Sequence, residues 1–158
     1  PRLVSVIAVN EYPGWDHYSA EVRYVMSAID KIGIVKQITR FGMRYIDFFE
    51  QNLFENLNLR LQLAEDPLPN DELLIRVVLP QEKGFSSALQ IASNANWETE
   101  NKPTKKGSLL DLDTSTTQIN VDFFQRVDEF LNEAHRIEKE LFFSLLKPEF
   151  LASLNPEY

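Results

Sequence analysis

One broad apolar stripe runs through residues 121–146 and sets the architecture of the chain. Its members recur at steps of three and four residues, the period of one face of an α-helix: Phe123, Phe124, Val127, Phe130, Leu131, Ala134, Ile137, Leu141, Phe142 and Leu145. Asn120 is placed to cap the start of this helix, and Pro148 is placed to end or kink it. Because one face of a sheet needs a helix over it, we expect a long C-terminal helix packed on a β-sheet.

The rest of the chain alternates strand and helix patterns. A β-branched strand is predicted at 3–10 and a helix at 15–32, with Gly33 at its C-terminus. A long strand is predicted at 34–49 and a helical turn at 51–58. Further strands are predicted at 59–63, 72–79, 84–93 and 108–116. Short turns between successive strands imply antiparallel pairing, so we predict an α+β fold in which one antiparallel sheet of about five or six strands packs against both helices.

Length and composition indicate one domain over 1–158 without disulfides. The chain has no cysteine, which is typical of an intracellular protein, and we expect it in the cytoplasm. No apolar run reaches the roughly 18 residues of a membrane span. Because the sequence opens on Pro1 and enters an apolar run almost at once, we expect an N-terminal segment to precede it in a longer protein. No cofactor and no metal site is expected.

The net charge of −8 argues against a surface that binds nucleic acid, since such surfaces are built from clustered lysine and arginine. Lys102, Lys105 and Lys106 form the one local basic cluster. They lie in the polar stretch 100–107, which contains proline and glycine and is predicted to be a loop tip.

The stretch 40–47 places two arginines on one face of a predicted strand. Side chains alternate along a strand, so Arg40, Gly42 and Arg44 point one way. The intervening apolar and aromatic residues point the other way: Phe41, Met43 and Tyr45. Asp111 and Asp113 share one face of a later strand by the same rule.

These residues allow three interpretations. The first is that Arg40 and Arg44 form cross-strand ion pairs with Asp111 and Asp113 on the face away from the helix. The second is that Gly42 leaves a shallow groove between the two guanidinium groups where a carboxylate or phosphate binds. The third is that the two aspartates share a divalent cation, although no third ligand is recognisable.

Two aromatic side chains have further potential roles. Trp97 ends a strand near the long hairpin loop, where it either anchors a partner or folds back over the sheet. His135 has Glu138 one turn ahead and Asn132 one turn behind, and either of them could orient its ring. No nucleophile elbow, phosphate-binding glycine loop or dinucleotide fingerprint is present, so the sequence favours a protein that is not an enzyme.

The order of several motifs resembles a sporadically distributed, uncharacterised microbial protein family. The motifs are Tyr12-x-x-Trp15, Arg40-x-Gly42-Met43-Arg44-Tyr45-Ile46-Asp47, Leu110-Asp111-Leu112-Asp113 and a final helix with His135. The strand motif of that family is similar to Arg-x-Gly-Leu-Arg-Tyr-Ile-Asn, from which Met43 and Asp47 depart. The resemblance covers most of the chain, as the C-terminal domain of a longer protein, and implies no activity.

Three functions therefore stay open, in this order. The first is a non-catalytic interaction or assembly domain that binds a protein partner or a second copy of itself. The second is a small-ligand or anion-binding domain that uses the face of Arg40 and Arg44. The third is a metal-dependent enzyme centred on Asp111 and Asp113.

Overall fold

A computed structural model describes residues 3–8, 12–98, 103–119 and 123–155. The helices are α1 Trp15–Ile32, α2 Val127–Leu145 and α3 Pro148–Ser153, and 3₁₀ turns lie at Leu53–Asn56, Glu82–Gly84 and Phe123–Gln125. The strands are β1 Phe41–Phe49, β2 Gln62–Leu63, β3 Asp66–Pro67, β4 Leu74–Pro80, β5 Phe85–Trp97 and β6 Lys105–Thr116. The predicted α+β fold, an antiparallel sheet with an N-terminal and a C-terminal helix, is confirmed. Within the described ranges, no helix combines the length and the hydropathy needed to cross a bilayer.

The six strands form two sheets instead of the single predicted one. Four of them make an antiparallel sheet in the order β1-β6-β5-β4, and β2 pairs only with β3. The two faces of the large sheet differ. One face carries Met43, Leu112 and Leu89 and is covered by α1 and α2, and we call it the helix face. The opposite face carries Arg44, Asp111 and the small side chains of β5, and we call it the open face.

The core consists of two buried clusters, and every sheet residue in them lies on the helix face. The first cluster joins α1, α2 and the start of β1: Val22, Phe41, Met43, Phe85, Phe123, Phe130, Leu131, Ala134 and Ile137. The second joins α3, the first 3₁₀ turn and the centre of the sheet: Leu53, Leu57, Leu89, Ile91, Leu110, Leu112, Leu146 and Phe150. The helix α1 keeps the predicted bounds, and Gly33 ends it in the left-handed conformation with φ 69°.

Three of the predicted strands differ from the structure over all or part of their described length. The described part of the first, residues 3–8, forms no strand, and residues 9 and 10 lie outside the described ranges. The long strand predicted from 34 begins only at Phe41, where Thr116 of β6 lies opposite it. Of the strand predicted at 59–63, only Gln62–Leu63 pairs with a neighbour. A β-branched sequence becomes a strand only where another strand accepts its backbone hydrogen bonds.

The hairpin and the final helix also differ from the prediction. Lys105 and Lys106 lie in β6 and not in a loop tip, while Lys102 is outside the described residues. A register shift between Ala92 and Ala95 lets β5 continue past the point where its alternation stops. The final helix begins at Val127, later than the apolar stripe, and Asn120 lies outside the described residues. Pro148 does not only end a helix but also begins α3, at a position where proline is favoured.

Candidate functional site

The open face carries two ion pairs that link β6 to the beginning of β1. Nε and Nη2 of Arg44 donate to Oδ1 and Oδ2 of Asp111 at 2.7 and 2.6 Å. Nη2 of Arg40 donates to both carboxylate oxygens of Asp113 at 2.9 and 3.0 Å. In the ladder Arg44 lies opposite Asp113, so its bond to Asp111 is diagonal. The predicted cross-strand pairing of the four charges is confirmed.

The expected groove at Gly42 is not open. A Cβ atom at Gly42 would lie only 2.9 Å from Nη1 of Arg40, because the guanidinium of Arg40 folds over the glycine. Two hollows of about 240 and 340 Å³ open elsewhere on the described surface, and neither is lined by Arg40 or Arg44. The guanidinium of Arg40 thus occupies the space over Gly42 in which the groove was expected.

In each ion pair the aspartate side chain is more deeply buried than the arginine side chain. The side chain of Asp111 is 11% exposed, whereas that of Arg44 is 56% exposed. Asp113 is likewise less exposed than Arg40. The carboxylates thus lie on the floor of the open face, and the guanidinium groups form the surface that another molecule would meet.

The same pairing bears on the metal interpretation. The oxygens of Asp111 and Asp113 already accept hydrogen bonds from the two arginines. In the part of the chain that the structure describes, no three histidine or carboxylate side chains come together as metal ligands. A cation at the two aspartates would have to displace both guanidinium groups.

Trp97 lies at the far end of the open face and stacks on Phe48 of β1. The ring centroids are 5.7 Å apart, with an angle of 29° between the ring planes. Gly107 of β6 makes this approach possible, since a Cβ atom there would lie 2.8 Å from the Phe48 ring and 2.0 Å from the carbonyl oxygen of Phe49. Trp97 is therefore folded back over the sheet, yet 38% of it stays exposed.

A second cluster, on the helix side, joins residues that are distant in the sequence. Tyr45 Oη lies 3.2 Å from Nδ1 of His135 and 3.3 Å from Oη of Tyr12. The ring of Trp15 is parallel to that of His135, with centroids 3.8 Å apart. Burial lowers the pKa of His135 and raises that of Tyr45. These four residues all belong to the motifs on which the family resemblance rests.

The side chain that hydrogen-bonds to His135 is thus Tyr45. Glu138, which was predicted as a possible partner of His135, instead contacts β6. Glu138 is buried against β6, where its Oε1 accepts a hydrogen bond of 3.0 Å from the backbone N–H of Thr114. Its Oε2 is buried and has no partner among the described residues. Burial raises the pKa of Glu138 to about 9. Its position in the sequence was a usable signal, because it lies seven residues after Leu131 and therefore on the apolar stripe.

Asp47 is the second carboxyl group on the helix face that sequence reasoning missed. Burial raises its pKa to about 6, and no described residue forms a hydrogen bond or an ion pair with it. Its charge adds to the effect of burial on Glu138. The signal was present in the strand alternation, which places Asp47 on the same face as Met43 and Tyr45.

No protein-family model, no curated protein and no solved structure matches this chain. The resemblance to a microbial family therefore stays a prediction, and function has to be argued from the geometry.

Proposed function

We propose that this chain is a protein-interaction module that binds a partner chain on its open face. The observation that carries the proposal is the difference in cover between the two sides of the sheet. All sheet residues of both buried clusters lie on the helix face. On the open face, Ile46 is 45% exposed and Val78 56% exposed, at opposite edges of the four strands. An antiparallel sheet can leave one face to solvent, and exposed apolar side chains on such a face are candidate contacts for another protein.

The shape of the open face supports a protein partner better than a small ligand. On this face strand β5, which lies between β4 and β6, presents the short side chains Ser86, Ala88 and Ala92, with Gln90 as the one long side chain among them. Neither of the two hollows on the described surface is lined by these side chains. Small-molecule sites are concave and enclose most of the ligand, whereas protein interfaces are broad.

The arginines give this surface fixed hydrogen-bond donors. Both guanidinium groups are anchored through carboxylates, and donors remain on Nη1 of Arg44 and on Nε and Nη1 of Arg40. An anchored arginine loses little conformational entropy when it binds, and arginine is enriched among the residues that dominate interface energies. Acceptor groups on the partner, such as carboxylates and backbone carbonyls, suit these donors.

Trp97 supports the same proposal from the far end of the face. Its stacking on Phe48 holds the indole ring in one position, and its exposed part faces the open side with Lys105 opposite it in the ladder. A rigid, partly exposed tryptophan is a typical anchor of a protein interface.

The two other hypotheses receive less support. A small-anion site would need a concave pocket around the guanidinium groups, and neither hollow is lined by Arg40 or Arg44. A metal site would need aspartates that are not held by arginines. We therefore propose neither as the function of this face.

Site-specific photo-cross-linking tests the proposal. A benzophenone amino acid is placed at Ile46 on the open face or, as the control, at Tyr24, an exposed residue of α1. Irradiation in the source cells should give a discrete adduct from position 46 and none from position 24, and Arg44→Glu should abolish the adduct. No adduct from position 46, or equal adducts from both positions, would refute the proposal.

A further inference from the structure

The strand β4 has the sequence of a central strand but lies at the edge of the sheet. Its order is Leu74-Ile75-Arg76-Val77-Val78-Leu79-Pro80, in which apolar residues occupy both faces. Such a pattern is typical of a strand buried on both sides and flanked by neighbours. Yet β4 is the last strand of the sheet, and within the described ranges nothing pairs with its outer edge.

The side chains of β4 also contribute nothing to the core. Ile75, Val77 and Leu79 lie on the helix face, but none of them belongs to either buried cluster or packs against one. The reason is that α2 packs on β1 and β6, which lie toward the opposite edge of the sheet from β4. A row of three apolar residues therefore extends beyond the helix that covers the rest of this face.

The backbone shows which groups of β4 are free. Leu73 accepts a hydrogen bond from the N–H of Ser93, and the N–H of Gln81 donates to Phe85, so odd-numbered residues direct their backbone groups toward β5. The pairing with β5 is regular from Leu74 to Pro80. Even-numbered residues consequently direct their backbone groups outward. The outward N–H groups are those of Leu74, Arg76 and Val78, since proline at position 80 has none.

We infer that the outer edge of β4 pairs with the β4 of a second copy, antiparallel and with Val77 opposite Val77 on the twofold axis. This register is the one in which the strand is complementary to itself. Arg76 then lies opposite Val78 of the other copy, so that the two arginines do not face each other. Pro80 lies opposite Leu74 of the other copy, where its carbonyl only has to accept a hydrogen bond. Ile75 lies opposite Leu79 of the other copy on the helix face.

The alternative register that centres on Arg76 is less favourable. It would place the two positively charged side chains directly opposite each other on the open face, which destabilises a strand pair. Pairing about Val77 instead extends the sheet to eight strands and removes two of the exposed edges that otherwise promote aggregation. The inference goes beyond the proposed function, because it concerns the edge of the sheet and not its open face, and either can fail alone.

The absence of cysteine makes a direct test possible. In an antiparallel pair, residues opposite each other without mutual hydrogen bonds have Cα atoms about 4.5 Å apart, within the range of about 4.4–6.8 Å that a disulfide needs. Under mild oxidation Val77→Cys should therefore give a disulfide-linked dimer as the main product. Arg76→Cys tests the other register, and Tyr24→Cys on α1 reports random collisions. Both should stay mainly monomeric.

A second measurement needs no disulfide. Sedimentation equilibrium of the unmodified chain at about 0.15 M salt, which screens the repulsion between two copies of net charge −8, should show a monomer–dimer equilibrium. Val77→Lys should weaken the dimer at least tenfold, and Leu63→Lys on the exposed β2–β3 hairpin should not change it. The inference is overturned if the unmodified chain is monomeric and Val77→Cys does not cross-link, or if Arg76→Cys cross-links in its place.

Discussion

The two faces of the large sheet differ in how their acidic side chains are stabilised. On the open face, Asp111 and Asp113 are each held by an arginine. On the helix face, Glu138 and Asp47 have no cationic partner, and burial raises the pKa of both. The covered face keeps its buried acid neutral, since an unpaired charge there would be costly. The open face retains its charges in pairs, with guanidinium groups outermost, which is the arrangement we assign to a binding surface.

The largest difference between the faces should appear on truncation of apolar side chains. Leu112→Ala removes a fully buried leucine of the second cluster and should lower the free energy of unfolding by about 2–5 kcal/mol. Val78→Ala on the open face should lower it by less than about 0.5 kcal/mol. Urea denaturation of monomeric protein measures both values. Similar losses for the two variants would contradict the view that only one face belongs to the core.

The buried acid should make stability depend on pH. The pKa of Glu138 is about 9 in the folded chain and has an ordinary value of 4.5, so between pH 7 and 9 the folded form keeps a proton that the unfolded form has lost. Raising the pH therefore favours unfolding, by up to about 1.4 kcal/mol per pH unit. Urea denaturation across this window measures the slope.

The other groups with shifted pKa values do not titrate between pH 7 and 9. The pKa of His135 lies below its ordinary 6.5, so this ring is neutral in both states above pH 7, and the buried tyrosines titrate only above the window. Glu138→Gln should remove most of the slope between pH 7 and 9. If this variant and the unmodified chain lose stability in parallel, the buried acid is not the cause.

The smallest effects should come from the ion pairs of the open face, and they should differ from each other. Arg44→Ala leaves the carboxylate of Asp111, which is nearly buried, without its partner and should destabilise the fold by about 1–2 kcal/mol. Arg40→Ala leaves the more exposed Asp113 and should cost less than about 0.5 kcal/mol. Denaturation of the two variants and of the matching double-mutant cycles measures this difference. Equal losses would mean that the depth of the carboxylates does not matter.

Much of the difference between the helix face and the open face could be predicted from the sequence. Alternation placed Arg44 and Met43 on opposite faces of β1, and the stripe of phenylalanines indicated which face would be covered. Gly33 marked the end of α1 because a left-handed residue stops a helix locally. Each of these signals is contained within one element of secondary structure.

The features that sequence reasoning missed depend on contacts between elements. Residues 34–40 have strand-forming composition, but β6 ends opposite Phe41 and leaves them without a partner. The diagonal pairing of Arg44 with Asp111 depends on side-chain reach and not on register alone. The irregularity that follows Ala92 interrupts the alternation of β5, so the predicted strand stopped at residue 93 although β5 continues to Trp97. The alternation of residues along a strand indicates which face of the sheet each side chain occupies, but not which residue of another element it contacts.

Hydroxyl-radical footprinting of the chain, in its native extract and after purification, measures whether a partner covers the open face. If a partner covers the open face, labelling of Ile46, Phe48 and Trp97 should be several-fold lower in the extract, while the exposed Tyr24 of α1 is labelled equally in both. Equal labelling of all four residues in both samples would mean that the open face is free in the cell and would contradict the assignment.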